Sequence, residues 1–297
     1  MRQNATFSHP IIDSHVHILP PGRLAGLMRW IHRAFKGHPV PADIDSEGIL
    51  ADLRANGTKH FFNLVYPLEP GETESLNEFN HEFCAGHLEA AGWGSLHIEN
   101  PGKASIVERC IADLGFVGMK FHPFIQRFSI TDPRMTPVYE TLDALKRPLM
   151  IHTGFEYFYQ QEMPPSQVEE LLRGFPGMPL IAVHCLFPHL EEAFGLLERY
   201  PNLTLDLTNV FGAITMAAEL TGADALDTPE ARVLIAEVPR HSDRLLFGTD
   251  HPAGMGTVEK IYRDMRLFGF DAEVARRITF QNAFDLAEKY LQGKWKI

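Results

Sequence analysis

The stretch Ile11-Ile12-Asp13-Ser14-His15-Val16-His17 indicates most about this chain. Its apolar residues predict a short strand, and two histidines spaced i, i+2 stand where that strand ends. Alternate residues of a strand point to the same side, so both imidazoles can reach one metal ion. Three later apolar stretches also end in a metal-binding type of residue, at His152, His184 and Asp250. The coincidence of these positions, more than any single histidine, predicts a metal site.

The rest of the chain alternates short apolar strands with amphipathic helices. Eight strands are predicted, near residues 11–16, 60–66, 91–98, 116–122, 148–152, 180–184, 203–208 and 244–249. Most are almost wholly apolar, as expected for a parallel sheet that helices cover. Capping patterns predict helix starts at Asp132-Pro133 and at Ser166-Gln-Val-Glu169. Eight such repeats predict an α/β fold, a (β/α)8 TIM barrel in which residues 1–297 form a single domain.

Two segments are longer than a minimal strand–helix unit. Residues 19–45 follow strand 1 and residues 210–242 follow strand 7, so both are predicted insertions. The second is expected to contain an extra helix near 229–238. Both leave the barrel at the end where active sites lie, which makes them candidates for lids or oligomer contacts. Plain surface helices explain them equally well.

Composition and charge limit the classes of function. Hydrophobic residues make up 45% of the chain, which is ordinary for a globular protein. A net charge of −11 argues against nucleic acid or an anionic membrane as partner, but not against a small anionic substrate. No apolar run approaches a membrane span, and residues 1–10 lack the apolar core of a secretion signal. Three cysteines without C-x-x-C spacing agree with the expected cytoplasmic location.

A barrel brings the carboxyl ends of its strands to one face. The residues predicted there are His15, His17, Lys120, His122, His152, His184 and Asp250. We therefore predict that His15, His17, His152 and Asp250 bind a divalent metal. Zinc is favoured, and manganese or iron also suits these ligands. Taken singly, each histidine could be a hydrogen-bonded strand end, and Asp250 could cap the turn before Pro252.

As an ordered set, these motifs resemble the amidohydrolase superfamily. The matching stretches are Ile12–His17, Gly118–Pro123, Pro148–Gly154, Ala182–His184, Leu246–Pro252 and Thr279–Ala283. The resemblance is strongest to the amidohydrolase-related branch, which also includes aminocarboxymuconate semialdehyde decarboxylase and the resorcylate decarboxylases. It runs in order from residue 11 to about residue 290.

The resemblance implies a role for each residue. His15, His17 and His152 would be metal ligands. Asp250 would be a ligand, or lie next to the ligands, and would act as a catalytic base that takes a proton from metal-activated water. His184 would be the second catalytic residue, which orients or polarises the substrate or acts as a further acid–base group.

Lys120 leaves three interpretations open. It can bind a substrate carboxylate as an ammonium, pair with an acidic neighbour, or become carboxylated and bridge two metals, with His152 and His184 on the second. We favour substrate binding, which leaves one metal per chain; a carboxylated lysine would raise this to two. His122 and Arg127, on the loop after strand 4, are further candidates for substrate binding, because a guanidinium matches a carboxylate. A lone surface arginine is the alternative for Arg127.

The favoured function is a metal-dependent hydrolase that acts on a C–N or C–O bond of a small acidic or cyclic substrate. The alternative is a metal-dependent, non-oxidative decarboxylase of a carboxylated aromatic or related acid, because the ligand set does not separate the two reactions. A second alternative is a binding barrel without catalysis. The expected partner is a small-molecule substrate, with no nucleic acid and no membrane, and the branch resemblance favours a homodimer.

Overall fold

Short strands and helices alternate along the chain in this computed structural model, which describes residues 7–156 and 160–295. The strands are β1 (Ile11–Val16), β2 (Thr58–Leu64), β3 (Ala90–Trp93), β4 (Met119–Phe121), β5 (Leu149–His152), β6 (Phe155–Glu156), β7 (Gln161–Glu162), β8 (Leu180–Val183), β9 (Leu203–Asp206) and β10 (Leu245–Leu246). Eight of them correspond to the predicted strands. The other two, β6 and β7, form a short antiparallel pair that the sequence pattern does not indicate.

Helices fill most of the intervals between these strands. They are α1 (Pro21–Ala34), α2 (Ser46–Ala55), α3 (Thr73–Gly86), α4 (Lys103–Ala112), α5 (Pro123–Gln126), α6 (Thr136–Leu145), α7 (Pro165–Gly174), α8 (Leu190–Arg199), α9 (Val210–Thr221), α10 (Pro229–Arg240), α11 (Val258–Leu267), α12 (Ala272–Arg276) and α13 (Asn282–Leu291). The segment 19–45 contains α1, and the segment 210–242 contains α9 and the expected helix α10. No helix in the described ranges is long and apolar enough to cross a membrane.

One of the two predicted helix starts is confirmed. The Asp132 carboxylate accepts a hydrogen bond from the Arg134 backbone N–H at 2.9 Å and so caps a short 3-10 helix, Pro133–Met135, that leads directly into α6. The capping box predicted at Ser166 is wrong, because α7 already begins at Pro165 and has no side-chain cap. Proline suits the first helical position, since its φ is preset and it has no N–H to satisfy. The helix therefore starts before Ser166, which lies within its first turn.

The chain divides into two compact units. Unit 1 comprises the described residues up to Phe62 together with Leu207–Asp285. Unit 2 comprises Asn63–Asp206 and the described residues from Leu286 onward. The assignment of residues 1–297 to one domain stays a prediction.

A parallel sheet forms the centre of unit 2. Strands β4, β5, β8 and β9 pair in this order, and a bridge between Gly94 and Met119 places the end of β3 beside β4. Every residue of β4, β5 and β8 is buried, which explains why these strands are mostly apolar, with Lys120 in β4 and His152 at the end of β5 as the polar exceptions. In the register, Phe121 lies beside Ile151, and His152 lies beside Val183. The carboxyl ends of β4, β5 and β8 are therefore neighbours.

Unit 1 is organised around β1, all six residues of which are buried. This strand pairs with β2 and also with the extended segment that follows β10. The backbone N–H of Asp250 donates to the His15 carbonyl at 2.8 Å, and that of His17 donates to the His251 carbonyl at 2.9 Å. A Cβ on Gly248 would lie 2.6 Å from the Cβ of His15, so only glycine permits this close approach.

Candidate functional site

His15, His17 and Asp250 form a compact group in unit 1, the ligand trio. The Nε2 atoms of the two histidines are 3.2 Å apart. Asp250 Oδ1 lies 3.1 Å from His17 Nε2 and 3.6 Å from His15 Nε2. Both histidines are buried, at 1% and 3% exposure, and the Asp250 side chain is 15% exposed. The structure thus brings together three of the four predicted metal ligands.

The spacing of these donor atoms fits a bound divalent metal. Donors about 2.1 Å from one ion, at tetrahedral or octahedral angles, lie roughly 3.0–3.4 Å from each other. In the trio, the separations of 3.2 and 3.1 Å lie within this range and the third, 3.6 Å between His15 Nε2 and Asp250 Oδ1, lies slightly above it. Two imidazole nitrogens and one carboxylate oxygen suit zinc, manganese or iron. Both the donor set and its spacing therefore agree with the predicted metal site.

Asp13 holds the two strands of this site together. Its carboxylate is 1% exposed, and Oδ1 accepts the backbone N–H groups of His15 at 3.0 Å and of Thr249 at 2.9 Å. Its Oδ2 accepts the Thr249 hydroxyl at 2.6 Å. One buried carboxylate thereby positions His15 itself and Thr249, the residue before Asp250. Sequence reasoning did not assign Asp13 this role, although an aspartate in an otherwise buried strand was a visible cue.

Asn209 orients the Asp250 carboxylate. The Asn209 Nδ2 group donates to Asp250 Oδ2 at 2.8 Å, while its Oδ1 accepts the Met255 backbone N–H at 3.2 Å. Both Asn209 and Asp250 have left-handed backbone conformations, with φ of 65° and 58°, which these two residue types tolerate best after glycine. The bond to Oδ2 leaves Oδ1 directed at the histidine nitrogens. Nothing in the sequence pattern marked Asn209.

His251 supports the same segment from a buried position. It is 1% exposed, and its Nε2 lies 3.2 Å from Asp52 Oδ2. Burial lowers the pKa of His251 to about 4, although Asp52 acts in the opposite direction. The imidazole is therefore neutral at pH 7. Its backbone carbonyl accepts the N–H of His17 and so helps to fix that residue.

A second group of buried side chains, the histidine cluster, lies in unit 2 and consists of His122, His152, His184 and Lys120. The rings of His122 and His152 are stacked, with centroids 3.7 Å apart and an interplanar angle of 17°. His184 Nε2 is 3.0 Å from His152 Nδ1, within hydrogen-bond distance. The register of β4, β5 and β8 explains this proximity, because the three histidines stand at or directly after the ends of these strands and Lys120 lies within β4, two residues before His122.

Lys120 is fully buried within this cluster. Its Nζ lies 5.3 Å from the centroid of the Tyr66 ring, in a cation–π contact. Tyr66 also packs edge-on against His122, with centroids 5.6 Å apart. The backbone carbonyl of Lys120 accepts the Ser95 hydroxyl at 2.8 Å. An ammonium in such surroundings offers a charge to an anionic group, which agrees with the favoured interpretation of Lys120 and leaves it a prediction.

His122 and Arg127, the two other predicted substrate-binding residues, follow β4 but differ in exposure. His122 is buried, and its backbone N–H donates to Gln126 Oε1 at 2.8 Å. Gln126 in turn donates to the Leu96 carbonyl at 2.9 Å and fixes the loop. Arg127, the next residue, is exposed and lines an open groove. The substrate-binding roles of His122 and Arg127 stay predictions, as does the placement of His152 in the same ligand set as the trio.

Comparison with known proteins identifies the family. Residues 12–286 match the Amidohydrolase family, and the chain belongs to it. This family is metal-dependent, which agrees with the ligand trio. The uncharacterized TIM-barrel protein Bb4693 from Bordetella bronchiseptica is similar in structure, with a TM-score of 0.69 and 18% identity over 95% of this chain and 99% of that one. The predicted fold, a (β/α)8 TIM barrel, is confirmed.

Two similar structures are decarboxylases of aromatic acids. The 5-carboxyvanillate decarboxylase of Novosphingobium aromaticivorans, complexed with manganese and 4-hydroxy-3-methoxy-5-nitrobenzoic acid, has a TM-score of 0.68 and 14% identity, over 98% of this chain and 99% of that one. The 2,6-dihydroxybenzoate decarboxylase from Rhizobium has a TM-score of 0.63 and 15% identity, over 95% and 99%. At these identities the likeness concerns the fold.

One curated relative matches part of the chain. Protein fluG of Emericella nidulans is 29% identical over 123 residues, which are 38% of this chain. The match covers 13% of the length of that relative.

Proposed function

We propose that the chain is a metal-dependent, non-oxidative decarboxylase of a carboxylated aromatic acid. The observation that carries this proposal is the convergence of His15, His17 and Asp250 in unit 1, with donor atoms 3.1, 3.2 and 3.6 Å apart. Membership of a metal-dependent family supports the metal, and two similar structures that are decarboxylases of aromatic acids support the reaction.

The histidine cluster supports an aromatic acid as substrate. The stacked rings of His122 and His152 provide a flat surface, and aromatic rings pack well on such surfaces. The buried ammonium of Lys120 provides a positive charge for a carboxylate. We infer that these residues bind the ring and an acidic group of the substrate.

The ligand trio would hold the metal, and the sequence predicts His152 as a further ligand. A divalent ion supplies Lewis acidity toward a substrate oxygen. Manganese, zinc and iron all suit this donor set. One ion per chain is the expected stoichiometry, since Lys120 is assigned to the substrate.

Decarboxylation exchanges carbon dioxide for a proton at one ring carbon. The ring carbon takes up a proton, the bond to the carboxylate carbon breaks, and its electron pair returns to the ring as carbon dioxide leaves. We assign the proton transfer to Asp250, because Asn209 holds one of its oxygens and leaves the other directed toward the site. His184 would orient the substrate through the histidine cluster.

Hydrolysis is the second candidate, because the family takes its name from that reaction. The same trio would then serve a different step, in which Asp250 takes a proton from the attacking water. The substrate would carry a C–N or C–O bond in place of the carboxylate that is lost.

Metal analysis and carbon dioxide release test the proposal together. Protein purified without chelator and without a histidine tag should contain about one equivalent of divalent metal by plasma mass spectrometry. Manganese-loaded protein should release carbon dioxide from 5-carboxyvanillate, 2,6-dihydroxybenzoate or a related aromatic acid. His15→Ala should lose both metal and activity, whereas the exposed His81 offers a matched control, His81→Ala, that should keep both.

Two outcomes would contradict this function. Cleavage of amide or ester substrates without carbon dioxide release from any aromatic acid would favour the hydrolase. Failure to bind any divalent metal would remove the basis of both reactions and favour a binding barrel without catalysis.

A further inference from the structure

An open groove with a volume of about 1090 Å³ lies in unit 2. Its main wall is formed by residues 123–130, which follow β4. Most of the remaining lining comes from residues 97–99 and 161–163. Pockets that hold drug-sized ligands have volumes of about 300–1,000 Å³. The groove therefore has room for more than a single unsubstituted ring.

The groove shares a wall with the histidine cluster. Phe124 lines the groove, and its ring packs edge-on against His152 with centroids 5.5 Å apart. Gln126 also lines the groove and accepts the backbone N–H of His122 at 2.8 Å. A ligand in the groove would thus lie next to the residues that we assign to substrate binding.

Arg127 is the unusual member of this wall. It follows the short helix α5 in a left-handed conformation, with φ of 57°, at a position where glycine or asparagine is normally found. Its side chain is exposed and lines the groove. Among the residues whose side chains the structure describes, 7–154 and 160–295, its guanidinium makes no ion pair and no hydrogen bond. A long cationic side chain therefore occupies a strained backbone position without an ion pair or a side-chain hydrogen bond to that part of the chain.

The other charged groups of the groove are largely occupied. Glu99 pairs with Arg134 at 2.6 Å, and Glu162 pairs with His189. Glu69 belongs to the capping box of the short turn that begins at Pro70. Arg127 is consequently the basic side chain of this groove that is available to an anionic ligand among the described residues, and a guanidinium binds a carboxylate through two parallel hydrogen bonds.

We propose that Arg127 forms an anion subsite that binds a second carboxylate of the substrate. The preferred substrate would then be an aromatic dicarboxylic acid, in which one carboxylate lies in the groove at Arg127. This inference rests on the proposed function, because it takes from it that the substrate is an aromatic acid. It adds that the acid carries a second carboxylate.

Calorimetric titration with two simple probes tests the subsite without any turnover. Wild-type protein should bind benzene-1,3-dicarboxylate about tenfold or more tightly than benzoate at equal ionic strength, the effect of one charge-assisted contact. Arg127→Met should abolish this preference and leave benzoate binding unchanged. Arg173 is an exposed arginine on α7 outside the groove, so Arg173→Met should retain the preference.

Arg127→Gly separates binding from folding. Glycine adopts a positive φ without strain, so the melting temperature of Arg127→Gly should equal or exceed that of the wild type. The variant should nevertheless lose the preference for the dicarboxylate. The subsite is rejected if wild type shows no preference for the dicarboxylate, or if Arg127→Met weakens both probes equally. An Arg127-dependent preference in a protein that releases no carbon dioxide would reject the decarboxylase and keep the subsite. Carbon dioxide release without such a preference would keep the decarboxylase and reject the subsite.

Discussion

The ligand trio of unit 1 and the histidine cluster of unit 2 both place buried imidazoles at strand ends, but they are built differently. In the trio, ring nitrogens face each other and a carboxylate oxygen at 3.1, 3.2 and 3.6 Å. In the cluster, two rings are stacked face to face at 3.7 Å, a nitrogen of the third histidine lies 3.0 Å from a nitrogen of His152, and no carboxylate is a member, the fourth residue being the buried Lys120. A stacked ring face is thus found in the cluster and not in the trio, whose two imidazole rings lie at 76° to each other.

This difference in geometry separates two kinds of ligand. Buried donor atoms that converge with a carboxylate stabilise a cation, because the cation offsets the cost of burying them. A buried ammonium beside flat rings stabilises an aromatic anion instead. Changes in the trio should therefore alter the metal or the proton transfer, and changes in the cluster should alter the binding of substrate.

The largest expected effect on activity is that of the substitution Asp250→Asn. The amide keeps the size of the side chain but cannot carry the proton, so kcat should fall by about 10²–10⁴-fold, the usual contribution of an acid–base group. Because the histidines remain, the variant should retain most of its metal. Steady-state carbon dioxide release and plasma mass spectrometry on the same preparation would measure both quantities.

Complete metal loss in Asp250→Asn would show that the carboxylate acts mainly as a ligand. Unchanged kcat would place the proton transfer elsewhere and would leave His184 as the candidate. Asn209→Ala gives a milder version of the same test, since it removes only the hydrogen bond to Asp250 Oδ2.

The next effect concerns the cluster. Lys120→Met retains much of the buried side-chain volume and removes the charge, so KM for the aromatic acid should rise about 10- to 100-fold, the value of a charge-assisted hydrogen bond. Metal content and kcat should change little. Loss of one metal equivalent would instead support a carboxylated Lys120 and a second metal, and would remove the functional distinction between trio and cluster.

The alternation of strands and helices and most of the site were predictable from the sequence. Apolar runs of strand length locate the eight principal strands, because parallel strands covered on both faces contain few polar residues. Ligand-type residues at their ends, such as His17, His152 and Asp250, then mark the site. The spacing i, i+2 in β1 was sufficient to place His15 and His17 side by side.

The supporting contacts were not predictable, because they join residues far apart in the chain. The partner of Asp13 is Thr249, 236 positions away, and no local pattern connects the two. Asn209 acts through a left-handed backbone conformation that its neighbours in sequence do not indicate. The short pair β6 and β7 contains two residues in each strand, too few for any alternation to be visible.

The smallest expected effect tests whether backbone packing maintains the trio. A Cβ on Gly248 would lie 2.6 Å from the Cβ of His15 and 2.7 Å from its backbone nitrogen, and neither atom can move without shifting β1. Gly248→Ala should therefore lower the free energy of unfolding by about 1–3 kcal/mol, as overpacking does, measured by urea denaturation. Gly22 on α1 has no atom within 4 Å of such a Cβ, so Gly22→Ala should keep or slightly raise stability.

This variant also sharpens the contrast between the two groups. Because His15 would shift, Gly248→Ala should bind metal more weakly, whereas the KM of fully metal-loaded protein for the aromatic acid should stay close to that of the wild type. Titration with manganese, followed by kinetics at saturating metal, separates these effects. Equal changes in metal affinity and in KM would show that the trio and the cluster respond as one unit to a change in β1. Unchanged stability and metal affinity would show that the close approach of Gly248 to His15 does not hold the trio in place.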